Sequence, residues 1–171
     1  MMQKIYVAGG CFWGVQEYFR RVKGVFKTES YYLNGGFDNV SYKEVCSASG
    51  HVEAVEIIYD ENILKVKDIF YLLTNIVNPF SLNKQGNDVG IQYRIGFYVE
   101  KDRADDLNLI REYIKEFETK FNQKTTFETE IVKDKTRAEE YHQDYLIKNK
   151  NGYCHIDLSN IPDQFLDKSK I

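Results

Sequence analysis

Between Gln3 and Val22 the chain changes its hydrophobic period, and that change limits the folds open to it more than any other feature. Residues 3–8 (QKIYVA) are apolar on both faces, as an interior strand is, while residues 11–22 repeat through Phe12, Val15, Phe19 and Val22 at helical spacing. Gly9 and Gly10 stand at the join, where a chain must turn sharply. The stretch therefore predicts a βα unit. Phe26–Leu33 and Val52–Tyr59 are rich in β-branched and aromatic residues and predict two further strands, separated by a glycine-containing loop. Val66, Ile69, Phe70, Leu73, Ile76 and Val77 predict a second helix that stops before Asn78, because Pro79 disfavours helical geometry in the residue before it.

Ile95, Phe97 and Val99 alternate as a strand, and Leu107, Ile110, Ile114, Phe117 and Phe121 trace one face of a third, long helix. The first hundred residues thus read β-α-β-β-α-β. That order belongs to the α/β (α+β) class and predicts a two-layer sandwich with a ferredoxin-like plait core, two helices covering one face of an antiparallel sheet. The long helix, a strand at 127–132 and a short helix around RAEEYHQDYL are then C-terminal additions. With 171 residues and no proline- or serine-rich spacer, one domain spanning residues 1–171 is expected. From about Lys148 onward periodicity is weak, which predicts a loosely held tail.

Charge excludes some partners. Lys and Arg total 23 against 26 Asp and Glu, without a dense basic cluster, so no nucleic-acid footprint is indicated. No run of about 18 apolar residues marks a membrane span, and the first residues carry no export pattern, so a cytoplasmic location is the expectation. The three cysteines, at 11, 46 and 154, are scattered and odd in number, which argues against a disulfide framework. No Cys-x-x-Cys pair occurs and no metal is expected, although Cys154 beside His155 could contribute a ligand. Thiol chemistry stays open.

Cys11 is the first candidate for it. A helix start favours a thiolate and lowers a thiol pKa, whereas an unpaired cysteine beside a core strand also serves as an inert small hydrophobe. Phe12 and Trp13 diverge by about 100 degrees on a helix, so if Phe12 joins the stripe of Val15 and Phe19, Trp13 projects toward the sulfur. Glu53 shares a strand face with Val55, Ile57 and Tyr59; there it is either a dehydrated carboxyl of raised pKa, able to act as an acid, or a strand-end group reaching solvent. Tyr42 in SYKEVC and Tyr93 in GNDVGIQYR offer neutral phenol donors, or packing, among 13 tyrosines. Asp88 falls in GND, an ordinary turn signal.

Taken together, GGCFWG, SYKEVCSASGHVEAV, GNDVGIQYR and AEEYHQDYL…NGYC resemble the peptide-methionine sulfoxide reductases specific for the S epimer, in order and over the whole chain. The resemblance implies reduction of peptide-bound and free methionine sulfoxide in oxidised proteins and peptides, hence protein repair, through a sulfenic acid. It implies Cys11 as nucleophile, Phe12 and Trp13 around the substrate methyl, Glu53 as proton donor, Tyr42 and Tyr93 on the sulfoxide oxygen, and Asp88 in substrate positioning. Cys154, in its GYC setting, becomes the resolving cysteine, and the cofactor is none beyond an external dithiol, thioredoxin being the expected partner.

Two departures from the family pattern stand out. The Cys46–Gly50 segment is shorter than in some relatives, and one cysteine follows the body where some relatives have two. Cys46 is expected as a packed thiol at a core edge, and His51, His142 and His155 as structural or surface histidines. Rival readings are a cysteine hydrolase that pairs Cys11 with a histidine and a non-catalytic module that binds side chains at Phe12 and Trp13.

Overall fold

β1 (Met2–Gly9) runs through the interior of the sheet, as two apolar faces require. Ile5 and Val7 enter one core and Tyr6 and Ala8 the other, all fully buried. The computed structural model describes residues 1–171. β1 pairs antiparallel with β3 (Val52–Asp60) and with β6 (Ile95–Val99). β2 (Val25–Leu33) lies beyond β3, and the sheet ends in two short strands, β7 (Glu128–Ile131), parallel to β6, and β8 (Lys135–Arg137), antiparallel to β2. The order across the six strands is β7-β6-β1-β3-β2-β8.

The larger core joins Ile5, Val7, Val55, Ile57 and Phe97 to three helices, so the fold is mixed α/β with the helices on one face of the sheet. α1 (Phe12–Arg20) contributes Phe12, Val15 and Phe19, the stripe read from the sequence. α3 (Val66–Thr74) contributes Ile69, Phe70 and Leu73, and α4 (Ala104–Phe121) contributes Leu107 and Ile110. Each fully buried side chain of this size stabilises by roughly 1.5–3 kcal/mol. The opposite face holds six buried residues around Tyr6 and Tyr98, with the Tyr6 hydroxyl donating to Glu56 at 2.9 Å. No helix is long and apolar enough to cross a membrane.

Several local expectations are corrected. α3 ends at Thr74, three residues before the predicted stop. The loop preceding β3 contains α2 (Tyr42–Cys46), closed by a capping box in which Ser41 and Glu44 exchange bonds. Residues 84–89 form a small hairpin, β4 (Lys84–Gln85) and β5 (Asp88–Val89).

RAEEYHQDYL is not one continuous helix: Glu140–His142 form a single 3-10 turn and only the last two residues of the stretch open the helix that follows. Its arginine belongs to β8, and the Ala138 amide donates to Ser30 O. The Gln143 amide group then clamps Ser30 N and O at 2.8 and 2.9 Å, and Asp144 turns into the left-handed region before α5 (Tyr145–Lys148). The segment's polar side chains therefore hold the edge of β2, and helical turns form only at Glu140–His142 and from Tyr145 onward.

The tail is also not loosely held. Ile156 and Ile161 are buried, Leu166 bridges to Val22, the Tyr18 hydroxyl donates to Asn160 O at 2.8 Å, and Lys170 Nζ caps the Val22 and Val25 carbonyls. Periodicity is absent because the tail is irregular backbone laid along α1, docked residue by residue.

Candidate active site

Gly10 has φ +90°, the left-handed region that a side chain strains to adopt, and a Cβ there would lie 2.8 Å from Gln85 Cβ. This turn delivers Cys11 as the N-cap of α1, 8 % exposed. The first amides of a helix lack intrahelical partners. One of them, Phe12 N, donates to Glu53 Oε1 at 3.2 Å, so β3 brings its carboxyl to the start of α1. Glu53 is 1 % exposed and lies on the Val55 and Ile57 face, as strand alternation predicts.

Burial pushes the Glu53 carboxyl up to about 8, with Asp88 adding to the effect and the Phe12 amide opposing it. It holds its proton at neutral pH. The thiolate expected from the helix start is corrected: burial, and then the nearby Glu53 charge, push the Cys11 thiol well up, and the single amide of Trp13 lowers it less. The resting pair is a neutral thiol beside a neutral acid. A full dipole effect needs solvent-facing or anion-ready amides, and here Glu53 already occupies one of them.

The two aromatics divide as their helical spacing requires. Phe12 is core, 5.6 Å from the Tyr32 ring, whereas Trp13 turns outward, donates from Nε1 to His142 Nδ1 at 3.0 Å and stacks on Tyr145 at 3.7 Å. That bond fixes His142 as the Nε2–H tautomer, and burial keeps the imidazole neutral by lowering its pKa. The Tyr42 ring sits 4.5 Å from His142, and its backbone amide is held by Glu139, which also accepts from Tyr32. Tyr93 ends a 3-10 turn before β6. Burial first raises both phenols, and Glu53 adds to both shifts, so each is a protonated donor. Asp88, on the hairpin, adds to the shifts of Glu53, Tyr93 and Cys11, and its Oδ2 is buried without a hydrogen-bond partner.

Cys11, Phe12, Trp13, Tyr42, Glu53, Asp88 and Tyr93 are thus one cluster drawn from five elements. Cys154 joins it from the tail: its sulfur lies 2.9 Å from where a Cβ would stand on Gly14, and its thiol donates to Ile156 O at 3.3 Å. Cys46 is corrected from a packed thiol to an exposed one beside Tyr42, because a five-residue helix turns only Val45 inward. No histidine bonds Cys11, which removes the hydrolase reading: His51 is tied to Ser49 and Phe37 O, His142 to Trp13, and His155 to Gly9 O. The sequence marks His142 as a structural or surface histidine, which its bond to Trp13 bears out, but does not single out Tyr145 or Glu139. The pattern AEEYHQDYL…NGYC marks their neighbourhood, but a helical reading of it hides that they pack on Trp13 and Tyr42.

A family model described as Peptide methionine sulfoxide reductase matches residues 3–171. The chain is 52% identical over 166 residues to the peptide methionine sulfoxide reductase MsrA of Mycoplasmopsis pulmonis, spanning 96% of this chain and 98% of that protein. It is 45% identical over 159 residues to the MsrA of Malacoplasma penetrans, spanning 92% and 98%. Among solved structures it resembles Mxr1 from Saccharomyces cerevisiae in reduced form, with TM-score 0.82 and 30% identity over 90% of this chain and 88% of that one.

Proposed function

Since the chain belongs to the peptide methionine sulfoxide reductase family, we propose that its reductive step runs between Cys11 and Glu53. The activity is that of an oxidoreductase, a peptide-methionine (S)-S-oxide reductase. The observation that carries the assignment is the buried Glu53, protonated at neutral pH and bonded to the amide next to Cys11. A sulfoxide sulfur becomes electrophilic as its oxygen takes a proton. Tyr42 and Tyr93 donate to that oxygen, Glu53 protonates it, and the Cys11 sulfur attacks. Sulfur–oxygen bonding transfers to Cys11, the thioether leaves as methionine, and the proton released by Cys11 restores Glu53. Phe12 and Trp13 enclose the methyl group, and Asp88 positions the substrate and the tyrosines.

Cys11 is left as a sulfenic acid, which condenses with the Cys154 thiol to a disulfide and water. An external dithiol, with thioredoxin as the proposed partner, then opens the disulfide by exchange, and no prosthetic cofactor is required. The substrates are oxidised proteins and peptides, together with free methionine sulfoxide. Three unlinked thiols suit a reducing compartment, in keeping with a cytoplasmic protein.

The test is a single-turnover assay on separated sulfoxide epimers. Methionine should form from the S epimer alone, with mass analysis finding Cys11 joined to Cys154. Cys154→Ser should give one normal turnover and then stall with thioredoxin as reductant. Sustained thioredoxin-driven turnover by that variant would remove Cys154 from the cycle.

A further inference from the structure

His155 follows the resolving thiol, and nothing in the reductive chemistry uses it. Its Nε2 lies 2.8 Å from the Gly9 carbonyl. A carbonyl only accepts, so Nε2 carries the hydrogen and Nδ1 is a bare lone pair, buried without a partner. The ring lies over Gly10, where a Cβ would stand 2.9 Å from Nε2, and the His155 Cβ packs 3.3 Å from the corresponding position on Gly86. One residue earlier, the Cys154 sulfur occupies the space left open by Gly14. Tail residues 154 and 155 therefore touch the chain at positions 14 and 9, on either side of Cys11. Residues 149–151, just upstream, are exposed, and the other anchors of the segment lie at Tyr153, which sits beside Asp88 on the hairpin, and at Ile156, which packs beside Cys154 on Gly14.

We propose that His155 is a positioning residue for the second half of the cycle, its bond to the Gly9 carbonyl holding Cys154 over the first turn of α1. The proposal rests on Cys154 as the resolving cysteine. In the step concerned, the Cys154 sulfur attacks the Cys11 sulfenic sulfur, the S–O bond breaks, and the hydroxyl leaves as water with the thiol proton. No further oxidant or reductant enters. The rate of such an intramolecular reaction follows the effective concentration of the second thiol, which a tether fixed next to the reacting group raises. Burial keeps the imidazole neutral, so it makes this contact as a hydrogen-bond donor and not as a cation.

Competition reads this effect directly. The enzyme is given one equivalent of methionine sulfoxide in the presence of dimedone, which captures sulfenic acids, and mass analysis measures Cys11–Cys154 disulfide against Cys11 adduct. The ratio does not depend on the speed of the step that makes the sulfenic acid. His155→Phe fills the ring volume without an N–H, and should shift the ratio toward adduct by about tenfold or more. His155→Gln, which keeps a donor at similar reach, should stay near the wild-type ratio. If His155→Phe does not fold, His155→Met, also without a donor, replaces it. A wild-type ratio in the donor-less variant overturns the positioning role alone. Absence of any Cys11–Cys154 disulfide in the wild-type enzyme overturns the resolver assignment, and the positioning role with it.

Discussion

Cys11→Ser should lose sulfoxide reduction by at least about 10⁴-fold in single turnover, the scale on which nucleophile removal acts. The chemistry forbids substitution of one atom for the other. A serine oxygen taking the sulfoxide oxygen would have to form an O–O bond, whereas sulfur takes it as a sulfenic acid. Stability should move in the opposite direction. Cys11 is the N-cap of α1 and makes no side-chain cap bond, and serine is a preferred N-cap that accepts from the following amides. The variant should melt at or above the wild-type temperature while forming no methionine. Activity within tenfold of wild type would show that the sulfur is not the attacking atom. Binding of a sulfoxide peptide that survives with chemistry gone is expected, since Phe12 and Trp13 are untouched.

Glu53→Gln should slow the reductive step by about 10²–10⁴-fold, the usual contribution of a positioned general acid. Glutamine keeps an oxygen for the Phe12 amide but has no acidic proton. In the wild-type enzyme the acid form is lost as pH rises through about 8, so the reductive rate should carry a descending limb there, and the variant should lack it. A descending limb that persists in Glu53→Gln would transfer the acid role to another group.

Stability supplies a second, independent readout. The folded Glu53 holds its proton up to about 8 against an ordinary value of 4.5. Between those values the folded state binds more protons than the unfolded state, so its stability falls as pH rises across that window. Glu53→Gln removes the loss. Chemical denaturation at pH 9 should find the variant more stable than wild type by a few kcal/mol, on the order that a shift of this size converts to. At pH 4 the two should coincide.

Periodicity made the main elements legible because each buries a regular face. QKIYVA, the Val52–Tyr59 strand and the Phe12–Val15–Phe19 stripe all lie where their spacing placed them. The same alternation put Glu53 on the apolar face. What escaped was held by polar side chains acting at long range: Gln143 clamping Ser30, Glu139 joining Tyr32 to Tyr42, and Trp13 reaching His142 across 129 residues of sequence. Such bonds leave no period. The thiol pKa is hidden for a related reason, since helix position is visible in a sequence whereas the depth of burial and the approach of Glu53 depend on the assembled sheet.

Cys11 lies two residues beyond the end of β1, a strand flanked by neighbours on both sides and apolar on both faces. Amides of such a strand exchange with solvent only when the whole domain opens, whereas a segment of irregular backbone can detach by itself at much smaller free energy. Gentle denaturation should accordingly release the C-terminal strap first and leave an enzyme still able to consume one sulfoxide, yet slow to regenerate. Reduction and regeneration would then fail at different denaturant concentrations, although both centre on the same sulfur.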